Sequence, residues 1–270
     1  MKRPALVVVR CALVAATCGL ASFCSATAIP DPVIWYDMES VVNGKVPDKS
    51  GNGRDMTLGP GATLTNGCGG ATGTALFFDG TTSAYSTFQC PALGSRTVAF
   101  WFRRGLGAGP IGSANPFPYL IKDLSSLQIN LANATNIAGS IPAHDYYATI
   151  FASSGDNATQ VRFMYNSTAL GIWREVWAHV AITLEVTSTE QATAENGAAT
   201  TVSHITYKAY ANGVLVSAPT TDFTVTNLSR TATAVLGNWS TSGGDRAVFG
   251  AIDEFRAWNE VLDADRKSVV

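Results

Sequence analysis

Charge is scarce in this 270-residue chain: 14% of its residues are Asp, Glu, Lys or Arg, with 18 basic against 20 acidic, where a globular domain carries about 25%. No basic stripe exists to reward a nucleic-acid backbone or an anionic membrane surface, so neither is an expected partner. Histidine is rarer still, with only His144, His179 and His204. None of them has the surroundings of a nucleophile-activating triad, and no His/Cys cluster has zinc-ligand spacing. Amphipathic helical periodicity is nearly missing, which disfavours a bundle or an α/β architecture. Beyond the first 28 residues no apolar run approaches the ~20 residues needed to span a bilayer.

The exception at the N-terminus has a recognisable form. Lys2, Arg3 and Arg10 flank an apolar run from Cys11 to Phe23, and Ala26-Thr27-Ala28 follows as small residues. This is the layout of a secretory signal peptide over residues 1–28 with cleavage after Ala28, or alternatively after Ala26. The expected mature domain is 29–270, secreted and extracellular, with no membrane insertion after cleavage. Removing Lys2, Arg3 and Arg10 leaves 15 basic against 20 acidic residues, a net charge of −5.

Of five cysteines, Cys11, Cys18 and Cys24 leave with that segment. Cys68 and Cys90 remain, and in an oxidising compartment a disulfide between them is the simplest expectation, two free thiols the alternative. Asn133, Asn157, Asn166, Asn227 and Asn238 each begin an Asn-x-Ser/Thr sequon. They are candidate glycosylation sites, provided that they lie on the surface.

What is abundant is short alternating runs punctuated by Gly, Asn, Asp and Pro, the pattern of an all-β chain. From Trp177 to Val186 apolar side chains alternate, with Ala178, Val180, Ile182 and Leu184 on one face. Thr97 to Arg103 is a second strand. His204–Ala211, Asn212-Gly213 and Val214–Ser217 read as a hairpin whose turn requires positive φ at both central positions. The polar stretch from Thr187 to Thr200 lacks periodicity and is expected to be a mobile loop. Together these predict an antiparallel two-sheet β-sandwich.

Seven short motifs occur in order: Trp35-Tyr-Asp37 with Asp48-Lys-Ser-Gly-Asn-Gly53, Ala75-Leu-Phe-Phe-Asp-Gly80, Val98 to Arg103, Trp177-Ala-His-Val-Ala181, Tyr210-Ala-Asn-Gly-Val214, Leu236-Gly-Asn238, and Gly250-Ala-Ile-Asp-Glu-Phe-Arg-Ala-Trp-Asn259. In this order they resemble the laminin-G-like (concanavalin A-like lectin/glucanase) jelly-roll domains. Residues 105–157 match no motif. The resemblance implies a jelly roll that serves glycan-binding modules and glycosidases alike. It also implies a possible structural Ca²⁺ where the two chain ends meet, with Asp253 as the leading ligand and Asp37 and the Gly80 carbonyl as partners, hard oxygen donors suited to this ion.

The two-carboxylate chemistry of the related glucanases needs side chains at i, i+2 and i+4 on one strand face. Adjacent Asp253 and Glu254 point to opposite faces of a regular strand, leaving Glu254 as a surface charge. Asp37 and Glu39 have i, i+2 spacing but no third partner. The expected protein is therefore not an enzyme. Trp173 and Trp239 lie outside the family's core motifs and are the candidate ligand-binding aromatics. The expected function is non-catalytic recognition of an extracellular glycan or glycoprotein; the alternatives are a protein-adhesion module or, less favoured, a glycoside hydrolase.

Overall fold

The computed structural model describes residues 29–69, 73–105, 119–130, 145–151, 160–166, 175–193, 197, 199–217, 223–226, 228–242 and 246–263. The described residues are all-β, and every strand pair is antiparallel. With strands numbered along the chain, sheet A contains β1 (Ile34–Tyr36), β4 (Ala62–Asn66), β5 (Thr74–Asp79), β7 (Arg96–Arg104), β12 (Trp177–Thr193), β13 (Ala199–Ala211), β14 (Val214–Ser217), β15 (Phe223–Thr226) and β17 (Phe249–Trp258). Its order is β14-β13-β12-β7-β17-β5-β4, with β1 beside β17 and β15 beside β13. Sheet B contains β2 (Lys45–Val46), β3 (Met56–Leu58), β6 (Ser86–Cys90), β8 (Tyr119–Leu124), β9 (Leu127–Asn130) and β16 (Ala232–Leu236), in the order β2-β3-β6-β16-β8-β9. A separate ribbon pairs β10 (Asp145–Phe151) with β11 (Gln160–Asn166).

Alternation buries one face of each sheet against the other. Tyr36 and Phe255 from sheet A meet Phe88 from sheet B, with ring centroids 5.2 Å (Tyr36–Phe88) and 5.8 Å (Phe88–Phe255) apart, and Phe100 stacks on Phe255 at 6.1 Å. Such aromatic contacts add about 0.5–1.5 kcal/mol each beyond area burial. Buried Arg96 ties the start of β7 to sheet B, donating to the carbonyls of Leu93, Gly94, Leu124 and Ser125. A guanidinium out of water has its donors satisfied in this way.

The Asn212-Gly213 turn has φ of 48° and 78°, the two positive angles that the hairpin expectation requires. The loop expected at Thr187 to Thr200 is instead the outer part of β12 and β13, paired as far as Thr193↔Ala199. The β12 half of this extension is largely exposed, while Thr200, Thr201 and Val202 on β13 are half-buried, so polar Thr and Ser replace the apolar alternation that marks a strand over the core.

Candidate functional site

Two places on the sandwich collect functional side chains. The first is a seam in sheet A. β17 pairs with β7 along one edge, while its other edge pairs first with β5, up to Ile252↔Leu76, and then with β1, from Phe255↔Tyr36. Where the partner changes, the β7 register shifts between Asp253 and Arg256, and Glu254 has a φ of 50°. This is a β-bulge. Ile252 and Phe255 both face the core, so Asp253 and Glu254 lie together between them on the outer side. The expected divergence of the two carboxylates is thus overturned, because the extra residue breaks the period-two alternation.

Neither carboxylate is an idle surface charge. Asp253 is buried; its Oδ2 accepts the Cys68 backbone N–H (2.9 Å) and its Oδ1 that of Glu254 (2.8 Å). Glu254 accepts from the Trp35 indole N–H (3.1 Å) and pairs with Arg256 (2.7 Å), whose guanidinium stacks over the Trp35 ring at 4.8 Å. Burial pushes both carboxyl pKa values up, against the lowering pull of the Cys68 hydrogen bonds on Asp253 and of Arg256 on Glu254.

The calcium set suggested by the resemblance is not assembled here. Asp37 lies beside the bulge, but its Oδ2 is paired with Lys49 at 3.0 Å. Gly80 follows Asp79, which pairs with Phe249, so its carbonyl stands at the far end of the β5–β17 pair, several residues along the strand from Asp253. Among the described residues no three His, Cys, Asp or Glu side chains form a group able to hold a metal.

The expected disulfide also gives way. Cys68 and Cys90 are free thiols. Cys68 follows β4 at the rim of sheet A, held against Asp253, whereas Cys90 ends β6 in sheet B and is buried in the core. Burial pushes both thiols up to about 12, and the Asp253 hydrogen bond adds to the effect at Cys68.

The second place is the end of sheet B around Trp239. β16 stops at Gly237, whose φ is +82° and whose missing Cβ would lie 2.3 Å from the Phe78 ring. Only glycine fits a left-handed turn pressed against the core. Gly237 donates to Leu120 O (3.0 Å) and accepts from Val248 N–H (2.7 Å), while Tyr119 N–H donates to Arg246 O (3.0 Å). The turn is thereby fixed between β8 and the returning chain.

Asn238 then points inward, 0% exposed, donating to Thr82 O (3.0 Å) and accepting from the Trp239 N–H (2.7 Å). Its sequon is unusable in the folded protein, because both ends of the amide are engaged and no solvent reaches it. Asn166 lies in β11. Asn133, Asn157, Asn227 and Trp173 lie outside the described residues.

Trp239 emerges from this turn 38% exposed, while Trp35, Trp101 and Trp177 are half-buried and Trp258 is buried. The edge of Tyr119 meets the Trp239 ring at 4.9 Å. The Lys122 ammonium sits over that ring at 4.0 Å and the Arg246 guanidinium at 5.0 Å, both within cation–π range. Arg246 also donates to the Tyr119 hydroxyl (3.3 Å). Sequence reading singled out Trp239, with Arg246 shortly after it, but missed Tyr119 and Lys122, since about 120 positions separate β8 from Trp239 and no local pattern connects them.

No protein-family model matches the chain, and no curated protein sequence matches it. Solved structures do. The binding domain of Paraclostridial Mosquitocidal Protein 1 is 13% identical, covering 88% of this chain and 51% of its own, with a TM-score of 0.58. The fold is a two-sheet β-sandwich of the kind found in such binding domains. The botulinum neurotoxin serotype D ligand-binding domain, solved in complex with N-acetylneuraminic acid, is 13% identical over 88% of this chain and 50% of its own, with a TM-score of 0.56. The binding domain of botulinum neurotoxin DC, solved with rat synaptotagmin II, is 14% identical over 88% and 50%, with a TM-score of 0.54. This chain spans about half the length of these solved chains, and at such identities the likeness is one of fold.

Proposed function

We propose that this protein is a secreted, non-catalytic recognition domain of laminin-G-like type that binds a glycan on an extracellular or cell-surface partner. The observation that carries this reading is Trp239, an exposed indole fixed by a glycine turn and surrounded by polar and charged groups. An aromatic surface with a few placed polar side chains is what a ligand site uses for contact and orientation. The β-sandwich neighbours are binding domains, one of them solved with a sugar. The non-catalytic part of the reading draws on the seam: Asp253 and Glu254 share a side, but each is tied to structural partners. The N-terminal segment of residues 1–28, with its signal-peptide layout, supports secretion.

A second reading, protein adhesion, draws on the exposed apolar side chains of Val176, Val214 and Leu215 at the Asn212-Gly213 end of sheet A, and one neighbour was solved with a protein partner. A glycan array probed with the purified protein and with its Trp239→Ala variant separates the two. Binding that depends on Trp239 supports glycan recognition. Absence of binding across neutral and acidic classes overturns it in favour of adhesion.

A further inference from the structure

Sheet A ends at β4, which among the described residues pairs with β5 alone. The backbone bonds at the two ends of that pair fix which groups face outward. Asp79 N–H donates to Gly61 O (3.2 Å), and Gly67 N–H donates to Gly73 O (2.9 Å). In an antiparallel ladder the direction of these groups alternates. Gly61, Thr63, Thr65 and Gly67 therefore turn their backbone groups toward β5, while Ala62, Leu64 and Asn66 turn theirs away. Ala62 N–H is taken by Gly59 O at 3.1 Å. The Ala62 carbonyl and both backbone groups of Leu64 and Asn66 line the outward edge of the sheet.

Natural sheets commonly protect such an edge with a charge, a proline or a bulge. None lies within β4: its sequence Ala62-Thr-Leu-Thr-Asn66 is uncharged, and its register with β5 is unbroken. Leu64 pairs with Leu76 of the core, so it hangs on the inner side of the sheet, 38% exposed. Thr63 and Thr65 pair with Phe77 and Ala75 on the outer side. Side chains and outward backbone groups are thus both arranged symmetrically about Leu64.

We propose that β4 is a dimerisation edge, joining two copies of this chain through an antiparallel β4–β4 pair whose two-fold axis passes beside Leu64. The two Leu64 residues exchange both backbone bonds, and each Asn66 N–H reaches the partner's Ala62 carbonyl. The Leu64 side chains meet on the inner side. On the outer side each Thr63 faces the partner's Thr65, a favourable cross-strand pair, and no like charges meet. This match is supplied by the strand's own sequence, which is why a second copy is the occupant. One five-residue strand pair is small for a permanent interface, so the dimer forms in a concentration-dependent way. The axis is perpendicular to the sheet, so the same outer face of both copies points the same way, an arrangement by which two sites engage one multivalent surface. The proposal stands independently of the glycan reading.

Sedimentation equilibrium of the purified protein from about 1 μM to about 500 μM is the test, a span suited to a weak interface. The mass should rise from monomer toward dimer. Leu64→Pro removes an N–H that β5 does not use, the kind of position where an edge strand tolerates proline. It should weaken the dimer about tenfold or more with Tm little changed. Leu64→Lys sets like charges across the axis and should do the same. Mixing the Leu64→Lys and Leu64→Glu proteins should restore the dimer, a rescue that requires residue 64 to face itself and that a folding defect would not show. A monomer throughout this range, which would leave the edge to some other strand, overturns the proposal. So does a dimer that Leu64→Pro and Leu64→Lys leave intact, or a loss that the Lys and Glu mixture does not rescue.

Discussion

On the outer face of sheet A, His179 is 5% exposed, and its Nε2 has no hydrogen-bond partner among the described residues. Its ring tilts against Trp101 at 5.3 Å, and its backbone N–H donates to Asn212 Oδ1 at 2.9 Å. These contacts make it a packing side chain of the outer face. Burial first, and then the charge of Arg256, push its pKa down from 6.5 to about 4. The folded state thus binds fewer protons than the unfolded chain between these two values, so stability is full above pH 6.5 and is lost as pH falls toward 4. The shift corresponds to on the order of 3 kcal/mol. Asp253 and Glu254 act in the opposite sense, since a raised carboxyl pKa makes folding favour the protonated form. A comparison of variants isolates the histidine. Tm measured from pH 7 to pH 4 should fall less in His179→Phe, which keeps an aromatic ring against Trp101, than in the unsubstituted protein. Equal pH slopes would show that this imidazole is not the titrating group.

The long β12–β13 hairpin divides into two parts by what lies beneath it. As far as Leu184 and Ile205 its inner face is in the core; beyond Thr189↔Ser203 the strands are held by their ladder, by the Val202↔Thr226 pair with β15 and by side-chain bonds such as Gln191–Thr201 (3.1 Å). Replacing residues 191–201 with an Asn-Gly turn, closing the existing Glu190↔Val202 pair, should therefore change Tm by only about 2 °C. A much larger loss would mean that the tip is packed against the rest of the molecule. The same division explains what could be read from sequence. β7, the inner half of β12 and the Asn212-Gly213 turn announced themselves because burial imposes alternation and the turn imposes its own residue types. The outer half of that hairpin and the two- to five-residue strands β2, β3 and β4 carry no such constraint. The bulge at Glu254 was illegible for a further reason: it arises where β5 and β1 share an edge of β17, which only the assembled sheet defines. For the candidate site, Trp239 could be picked out as an aromatic outside the core motifs, with Arg246 close by in sequence, but Tyr119 and Lys122, which stand against its ring, come from β8.

Taken whole, the molecule is closed by non-covalent contacts between its two ends rather than by a cross-link. β1 and β17 pair near the N-terminal and C-terminal limits of the described chain, and the Trp258 indole donates to Pro30 O at 2.8 Å. With Cys68 on the rim of sheet A and Cys90 buried in sheet B, the thiols serve as packing and hydrogen-bonding groups. A bridge between them would have lowered the entropy of the unfolded chain by something like 3 kcal/mol, worth roughly 6–12 °C in a domain of this size. The expected result is accordingly that reductant leaves Tm unchanged. Thiol reagent should find both Cys68 and Cys90 in denaturant but react slowly with the native protein, because Cys90 is buried and the Cys68 thiol, pushed up to about 12 by burial and Asp253, supplies almost no thiolate at neutral pH. A reductant-dependent fall in Tm of several degrees, with no free thiol in denaturant, would establish the bridge and require residues 67–69 to leave Asp253.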